Sequence, residues 1–413
     1  MQQTTTLFRA REIVLTSAQP LADAEVVPLV QAHGRHLAAA IVATEPWPTS
    51  DRSAMDGFAL SPGASGTDAG AVFEVVGESL AGSPFHGTMS PGTAIRIMTG
   101  AVVPPGVDRV VPVELTSGFA GATVTLQQPV VPGANIRRLG SEVRAGTVVL
   151  APGRRVRAAE VGVLAVLGHF EVCVRRRPRV AILATGDEVV AVDQNPGPHQ
   201  VRESNSWALA AQVLECGGEP VRLGIAPDEA GPLRALLARG LAEADVLLTI
   251  GGISKGTHDL VHGLLAELGV APAFHGVDLK PGKPTFFGMH GDAARRRYVF
   301  GLPGNPASTF TVFDLLVRPL LQLLAGESVA TWANVVPAAG VPWQRNGRLQ
   351  AVPAHLTTTA DGNFAAHLVA PSPSGDPFSL TRGDVYALVP PNTAPATGAV
   401  LTIVGGSAGV SLP

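Results

Sequence analysis

The chain has 413 residues, of which 46% are hydrophobic, and carries a formal net charge of −3 at neutral pH. The length and the apolar content predict several domains, each able to bury a core, while the charge gives no basic face for binding nucleic acid. The sequence has no signal-peptide core and no apolar run of the roughly 18 residues that span a membrane, so we predict a cytoplasmic protein without a membrane partner.

Residues 1–50 and 140–178 predict an α+β scaffold. Apolar side chains recur at helical spacing in Leu7–Thr16 and again in residues 30–41. His33 and His36 lie in the second of these segments without a matching cluster of Cys or His elsewhere, which favours surface histidines over metal ligands.

Residues 51–139 predict a small β module inserted into this scaffold, because short β-branched runs alternate with turns from residue 72 onward. The module begins with S-A-M-D-G-F-A, whose Asp-Gly turn leaves Asp56 at an exposed corner. Such an aspartate can be functional, or it can simply stabilise the turn.

The scaffold resumes with a predicted helix over Ala158–Val166 and the strand F-E-V-C-V. Three consecutive arginines at 175–177 then indicate a solvated boundary between domains. The cysteines at positions 173 and 216 lack CxxC spacing and lie in apolar segments, which predicts buried thiols.

Residues 179–327 alternate between strand and helix patterns and predict a parallel sheet covered on both faces. The predicted strands are 180–183, 221–223, 246–250 and 298–300, and the predicted helices are 205–216, 229–242, 260–268 and 307–325, with a kink at Pro319. Ligands of such sheets lie beyond the carboxyl ends of the strands. Residues 328–413 alternate without helical spacing and predict a separate β domain.

Acidic side chains follow several of the predicted strands. Thr185-Gly186-Asp187-Glu188 ends the first strand, Asp228 follows the second, and Asp259 closes G-G-I-S-K-G-T-H-D. Carboxylates that converge beside phosphate-binding turns would suit Mg²⁺, which takes oxygen ligands and bridges to phosphates. Each of them can instead cap a helix, and Asp259 precedes one directly.

Glycine- and proline-rich turns in residues 249–308 predict an anion site. Backbone N–H groups at Gly251 and Gly252 would face a phosphate. The only lysines of the chain, Lys255, Lys280 and Lys283, all fall in this stretch, partly within K-P-G-K-P. Their compact ammonium groups favour an oxyanion site over chance drift in an arginine-rich chain.

The pattern G-x-S-x-G around Ser254 also matches the nucleophile elbow of serine hydrolases, with His262, His275 and His290 available downstream. An elbow passes from strand through serine directly into a helix. Here a second glycine precedes the serine, and helical spacing resumes only near Asp259. The hydrolase stays a minor alternative.

The motifs S-A-M-D-G-F-A, T-G-A-x-x-P-x-G-x-D, T-G-D-E, G-G-I-S-x-G-x-x-D, P-G-K-P and L-P-G-N-P-A-S occur in an order and spacing that resemble the molybdopterin molybdenumtransferase family, of the MoeA and gephyrin E-domain type. The resemblance implies a MogA-like doubly wound α/β pterin-binding domain at 179–327, a dimerisation scaffold, the inserted β module and a C-terminal β-barrel-like domain at 328–413. It also implies a homodimer that inserts molybdate into adenylylated molybdopterin and releases AMP with the help of Mg²⁺.

The resemblance assigns roles to residues of these motifs. It implies catalytic roles for Asp56, Thr99 and Glu188, and metal ligation at Asp228 and Asp259. The implied substrate-binding residues are Thr185, Gly186, Asp187, Gly251, Gly252, Ser254, Lys280, Lys283, Pro284, Pro303, Gly304, Asn305 and Ser308.

Some positions depart from the family pattern. Lys255 replaces a smaller or acidic residue, and Pro353 stands where the family often has an arginine thought to help hold molybdate. Two alternatives therefore stay open beside the transferase: a non-catalytic protein that binds or stores the pterin, and a molybdopterin adenylyltransferase with the same α/β domain.

Overall fold

A computed structural model describes residues 4–61, 67–252, 260–292, 295–327, 329, 333–337, 346–358, 364–370, 373–393 and 401–405. The helices are α1 (Leu7–Thr16), α2 (Leu29–Ala32), α3 (Ala158–Val166), α4 (Asn205–Glu215), α5 (Ala230–Glu243), α6 (Leu260–Glu267), α7 (Pro306–Val312) and α8 (Arg318–Ala325), with a π-helical segment at Phe313–Val317 and 3₁₀ turns at Val113–Leu115 and Pro377–Arg382. The chain forms two compact units, one of Met1–Ala38, Gly153–Val161 and Phe170–Pro413, the other of Ala39–Pro152 and Gly162–His169.

The strands in the N-terminal half are β1 (Ala24–Pro28), β2 (Ile41–Val42), β3 (Arg52–Ser53), β4 (Gly57–Leu60), β5 (Val72–Ser79), β6 (Thr93–Ile97), β7 (Arg109–Pro112), β8 (Thr123–Thr125), β9 (Ile136–Arg137), β10 (Val148–Leu150) and β11 (Glu171–Arg175). Those that follow are β12 (Arg179–Thr185), β13 (Val189–Val190), β14 (Val201–Arg202), β15 (Glu219–Ala226), β16 (Val246–Ile250), β17 (Ala271–His275), β18 (Leu279–Lys280), β19 (Phe286–His290), β20 (Arg297–Leu302), β21 (Ala333–Pro337), β22 (Leu349–Thr358), β23 (Phe364–Leu368), β24 (Val385–Val389) and β25 (Leu401–Gly405).

The N-terminal scaffold confirms one predicted helix and contradicts the other. Helix α1 has the predicted bounds and is capped by the Thr6 hydroxyl, which accepts a hydrogen bond from the backbone N–H of Arg9. The helix predicted over residues 30–41 is wrong, because α2 ends at Ala32 and Gly34 has a φ of +79°. That left-handed conformation stops a helix and suits glycine. His36 is buried rather than on the surface.

The larger unit is built on a mixed sheet with the strand order β15-β12-β16-β20-β19-β17. The first four strands are parallel, as predicted. Strands β19 and β17 pair antiparallel at one edge and are absent from our prediction. Apolar side chains of α4, α7 and α8 pack on one face of the sheet, and those of α5 and α6 pack on the other. The sheet is therefore doubly wound.

The helical run Pro306–Ala325 is the core helix of this unit. Within the described part of the chain it is the one helix long and apolar enough to cross a membrane, and 78% of its hydrophobic window is buried inside the protein. Our expectation of no such apolar run was therefore too strict. The π-helical turn Phe313–Val317 comes just before Pro319, which has no N–H to donate within the continuous helical run.

The C-terminal strands close into a barrel in the same unit. The order is β22-β23-β21-β25-β24, and β24 pairs back to β22. Strand β18, which contains Lys280, adds to β22 in parallel. Val352 and Ala354 pack among the apolar side chains of the barrel, whereas Tyr386 belongs to the core that contains α7 and α8. The K-P-G-K-P segment is thus joined to the barrel by backbone hydrogen bonds.

The arginine run at 175–177 is not a simple solvated boundary. Arg176 forms ion pairs with Asp23 and with Asp245, and the Asp245 side chain is only 5% exposed. Asp245 also accepts a hydrogen bond from the backbone N–H of Arg179, at 2.9 Å. This ion pair links the segment before β12 to the start of β16.

The smaller unit contains a five-stranded sheet with the order β7-β4-β6-β5-β8. It confirms the predicted small β module. Phe58, Phe73 and Val124 are buried in one of its apolar clusters, and Ile95 and Val110 in another. Strands β2 and β10 pair with each other outside this sheet.

Candidate active site

The end of β12 is tied to the end of β16 at the predicted T-G-D-E corner. The hydroxyl of Thr185, which is buried, donates a hydrogen bond to the carbonyl of Ile250 at 3.1 Å. Gly251 follows with a φ of +81°, and a Cβ there would lie 3.2 Å from the Thr185 hydroxyl oxygen. A Cβ on Gly252 would lie 2.6 Å from a methyl group of Val261 in α6. The backbone of both strand ends is therefore tightly packed, and only glycine fits.

The carboxylate of Glu188 lies over this corner. Gly186 has a φ of +125°, and a Cβ at that position would lie 2.4 Å from a carboxylate oxygen of Glu188. The Glu188 side chain is exposed. Any side chain at position 186 would displace this carboxylate from the end of the strand.

The carboxylate of Asp187 contacts the backbone of Asp228 beyond the next strand. The backbone N–H of Asp228 donates a hydrogen bond to Oδ1 of Asp187 at 3.1 Å, and both side chains are exposed. No group of three His, Cys, Asp or Glu side chains suited to a metal occurs within the described ranges. Asp259, the other predicted metal ligand, lies outside those ranges, as do Ser254 and Lys255.

A cavity of about 470 Å³ lies beside the T-G-D-E corner. Its walls include Thr185, Glu188 and Gly251 from the strand ends, and Gly304 and Asn305 from P-G-N-P-A-S. The side-chain amide of Asn205 fixes the latter motif by donating to the Gly304 carbonyl at 2.7 Å. Residues of three predicted motifs therefore converge on one cavity.

A second cavity, of about 540 Å³, lies between K-P-G-K-P, the start of α7 and the barrel strand β22. The predicted residues on its walls are Lys280, Lys283, Pro284, Pro303, Asn305 and Ser308. Asn305 also borders the first cavity, so the two cavities share a wall.

The second cavity is electropositive. Lys280, Lys283 and Arg348 line it, and no acidic side chain is among its described lining residues. Neither lysine forms an ion pair within the described part of the chain, and both are exposed. Arg348 donates to the Leu279 carbonyl at 3.4 Å, which holds it near the first lysine. Unpaired cations around a concave surface are the arrangement that binds an oxyanion.

The K-P-G-K-P loop is held rigidly against the core helix. Gly282 has a φ of +119°, and a Cβ there would lie 2.6 Å from a methyl group of Val312. The buried hydroxyl of Thr285 donates to the Gly282 carbonyl at 2.7 Å. The positions of the two lysine backbones are therefore fixed by packing, while their ammonium groups remain free to adjust.

Two predicted catalytic residues meet in the smaller unit. Oδ1 of Asp56 accepts hydrogen bonds from the backbone N–H and from the hydroxyl of Thr99, both at 2.7 Å. The backbone hydrogen bond, followed by that of the hydroxyl, lowers the pKa of Asp56. The carboxylate is therefore ionised at neutral pH and acts as an acceptor.

Sequence reasoning missed several residues of the second cavity. Arg348, Gln350 and Ser374 line it, and the Ser374 hydroxyl accepts a hydrogen bond from the side-chain amide of Asn305 at 2.9 Å. These residues are far from the α/β motifs in sequence and carry no motif of their own. Pro353, noted for its departure from the family pattern, also lies on this wall.

The fold and the two cavities define a class of protein: a multidomain α/β and β protein in which a doubly wound sheet and a β-barrel share a pocket. Comparison with known proteins identifies the family. A family model described as "MoeA N-terminal region (domain I and II)" matches residues 5–168, and one described as "Probable molybdopterin binding domain" matches residues 181–323. The chain belongs to the molybdopterin molybdenumtransferase family.

Individual relatives agree with this assignment. The chain is 39% identical over 307 residues to the molybdopterin molybdenumtransferase of Nostoc sp., covering 74% of this chain and 70% of that protein. It is 34% identical to the Haemophilus influenzae molybdopterin molybdenumtransferase, covering 78% of each chain. The crystal structure of a molybdopterin biosynthesis MoeA protein from Pyrococcus horikoshii OT3 superposes with a TM-score of 0.82 at 27% identity, covering 98% of this chain and 100% of that chain.

Proposed function

We propose that this enzyme inserts molybdate into adenylylated molybdopterin, with Mg²⁺-dependent cleavage of the adenylate and release of AMP and molybdenum cofactor. The observation that carries the proposal is the second cavity, which is lined by Lys280, Lys283 and Arg348 and borders the cavity at the strand ends through Asn305. Molybdate in the second cavity would then lie next to the pterin substrate in the cavity at the strand ends.

The residues of the site would act mainly by positioning and by offsetting negative charge. Molybdate and a pterin phosphate repel each other, and unpaired ammonium groups lower that repulsion. The backbone N–H of Gly252 would supply a further donor. That of Gly251, also predicted to face a phosphate, instead donates to the carbonyl of Leu302 at 3.0 Å. Asn305 would provide a polar contact where the two cavities adjoin, and Ser308 would provide one within the second cavity.

The described donor set fits Mg²⁺ bound jointly by protein and substrate. Mg²⁺ commonly takes one or two carboxylates and completes its coordination with water and phosphate oxygens. Asp187 and Asp228, which lie together, would hold it, with Asp259 as a further ligand in our proposal. When bound, the ion would stabilise negative charge on the phosphoanhydride as it breaks.

The domain scheme also stays a proposal: a scaffold of residues 1–50 and 140–178 that dimerises, a β module at 51–139, a pterin-binding domain at 179–327 and a β domain at 328–413. We further propose a cytoplasmic homodimer whose ligands are small molecules, with no nucleic-acid or membrane partner. Family membership favours this function over the hydrolase suggested by G-x-S-x-G.

The decisive experiment incubates the purified protein with adenylylated molybdopterin, Mg²⁺ and molybdate, and follows AMP. We expect AMP release that depends on molybdate. Binding of the pterin without AMP release would indicate a storage protein instead. Adenylation of molybdopterin from ATP would indicate an adenylyltransferase.

Lysine-to-arginine exchanges test the charge of the second cavity. Arginine keeps the positive charge but has a larger, planar head group, so Lys280→Arg or Lys283→Arg should weaken molybdate-dependent turnover about tenfold, the factor expected when a charge-assisted hydrogen bond is displaced. Lys255→Arg is the matched control, because the family pattern has no basic residue there. Wild-type turnover in all three variants would show that the lysines do not contact the substrate.

Mixed dimers test whether each site needs two chains. Asp56 and Asp228 lie in different compact units, and the family resemblance places them on opposite subunits of one site. Chains carrying Asp56→Ala should therefore regain activity when mixed with chains carrying Asp228→Asn, up to about a quarter of the wild-type rate for random exchange between subunits. Two inactive variants that stay inactive after proven subunit exchange would contradict a shared site.

A further inference from the structure

A groove of about 490 Å³, here called the outer groove, adjoins the second cavity. It is lined by Thr4 and Thr6, which precede α1, and by Gly347, which precedes β22. All three residues are exposed, so the outer groove opens to solvent. Lys283 and Arg348 line both the outer groove and the second cavity. The two spaces are therefore neighbours, and two basic residues lie at their common boundary.

The basic residues at this boundary have backbones that are held in place. The carbonyl of Lys283 accepts hydrogen bonds from the backbone N–H groups of Val277 and Thr285, both at 2.9 Å. The backbone N–H of Arg348 donates to Oδ1 of Asn346 at 3.1 Å. Neither basic side chain forms an ion pair within the described part of the chain. Because both side chains have several rotatable bonds, they can let a small ligand pass while the backbone stays in place.

The outer groove and the cavity at the strand ends border the second cavity through different residues. The cavity at the strand ends adjoins it through Asn305. None of the described lining residues of the outer groove also lines the cavity at the strand ends. A pterin bound at the strand ends would therefore leave the outer groove uncovered.

We propose that molybdate enters the second cavity through the outer groove, between Lys283 and Arg348, while the pterin substrate occupies the cavity at the strand ends. This deepens the proposed function and rests on it. The described lining of the groove has two cations, both at its inner end, and one carboxylate, Asp278, so its field would draw a small anion inward. A separate entrance lets molybdate arrive after the pterin has bound.

Gly347→Trp tests this entrance, because it narrows the groove without adding charge. A Cβ at Gly347 would have no described heavy atom within 4 Å, and the backbone there is not left-handed, so a side chain fits. Association and dissociation of radiolabelled molybdate, measured by rapid filtration on the full-length protein, should both slow about tenfold, within the range of association rates found among variants of one site. The Kd should be unchanged, because a narrowed passage does not alter the bound state.

Gly347→Ala is the matched control for Gly347→Trp. It removes the glycine but adds only a methyl group, so molybdate should exchange at the wild-type rates. A raised Kd with a normal association rate in Gly347→Trp would mean that the groove is part of the binding site rather than its entrance, and would overturn the proposal.

Charge exchanges at the groove provide variants with opposite expected effects. The Thr6 hydroxyl caps α1, and both aspartate and asparagine cap helices well. Thr6→Asp should therefore fold normally and slow molybdate association about threefold at low ionic strength, whereas the neutral Thr6→Asn should not. Asp278→Asn should speed association, because it removes a carboxylate that has no ion pair among the described residues. Both differences should vanish at about 1 M salt, where screening acts over about 3 Å.

Occupied pterin sites separate this inference from the proposed function. With adenylylated molybdopterin bound and Mg²⁺ removed by a chelator, molybdate should associate at nearly the rate measured for the empty protein. Association that stops when the pterin is bound would show entry through the cavity at the strand ends and would overturn the proposed entrance. Molybdate-dependent AMP release by the wild-type enzyme would still support the proposed function in that case. Groove-dependent molybdate exchange in a protein that releases no AMP would support the entrance and contradict the proposed function.

Discussion

Replacing Asp228 by asparagine is expected to lower AMP release at least about a hundredfold, as removal of a charge-stabilising group in an active site typically does. The carboxylate is exposed at the end of the sheet beside Asp187 and has no ion pair among the described residues. Its proposed task is to hold Mg²⁺ against the phosphates. Asparagine keeps the size and loses the charge, so the fold and molybdate binding should be unchanged. Single-turnover AMP release measures the effect.

The neighbouring residues supply the controls. Glu229→Gln removes the adjacent exposed carboxylate, which makes no side-chain cap to α5, and should have little effect. Because both carboxylates are proposed to hold the same Mg²⁺, they would act as one unit, and a variant with both replaced should be little worse than Asp228→Asn alone. Wild-type AMP release from Asp228→Asn would exclude this residue as a metal ligand.

The sequence predicted the central elements because their patterns are strong. Strand β16 and helix α1 have the predicted bounds. The predictions failed where the spacing of apolar residues was ambiguous. Apolar residues recur at helical spacing in residues 30–41, but Gly34 interrupts the segment with a left-handed backbone conformation. Leu37, beyond this glycine, forms a β-bridge with Val174. The edge strand β17 and its neighbour β19 depend on their pairing partners in the sheet, which local periodicity does not encode.

The candidate site was predictable to the extent that its residues lie in glycine-rich turns at strand ends. Thr185, Gly251 and Asn305 line one cavity, as the topology of an open α/β sheet requires. The contribution of the barrel was not predictable in the same way. Gln350 lines the second cavity because β22 pairs with β18. Neither strand has a sequence pattern that predicts this pairing.

The largest expected effect on stability concerns Arg176, which pairs with two aspartates of very different exposure. The Asp245 side chain is 5% exposed and lies 2.6 Å from Arg176, whereas Asp23 is 71% exposed and lies 3.0 Å away. Removing one member of a buried ion pair leaves an uncompensated charge, so Asp245→Asn should lower the free energy of unfolding by about 3 kcal/mol. This loss of stability is at the lower end of the range usual for a broken buried ion pair, because Arg176 still forms its ion pair with Asp23 in the variant. Asp23→Asn, the matched control, should cost about 1 kcal/mol or less.

The difference in free energy of unfolding between wild type and Asp245→Asn should depend on pH. That dependence distinguishes loss of the ion pair from loss of packing. Burial alone would raise the pKa of Asp245, but hydrogen bonds from Arg176 and from the backbone N–H of Arg179 outweigh it, and the pKa is lowered. The carboxylate therefore stabilises the fold above its unfolded-state pKa of about 3.9, and this contribution is lost as the pH falls through the lower folded-state pKa. In urea unfolding, the difference between wild type and Asp245→Asn should stay constant above about pH 5 and shrink below about pH 4. A difference that persists unchanged into acid would mean that asparagine disturbs packing rather than charge.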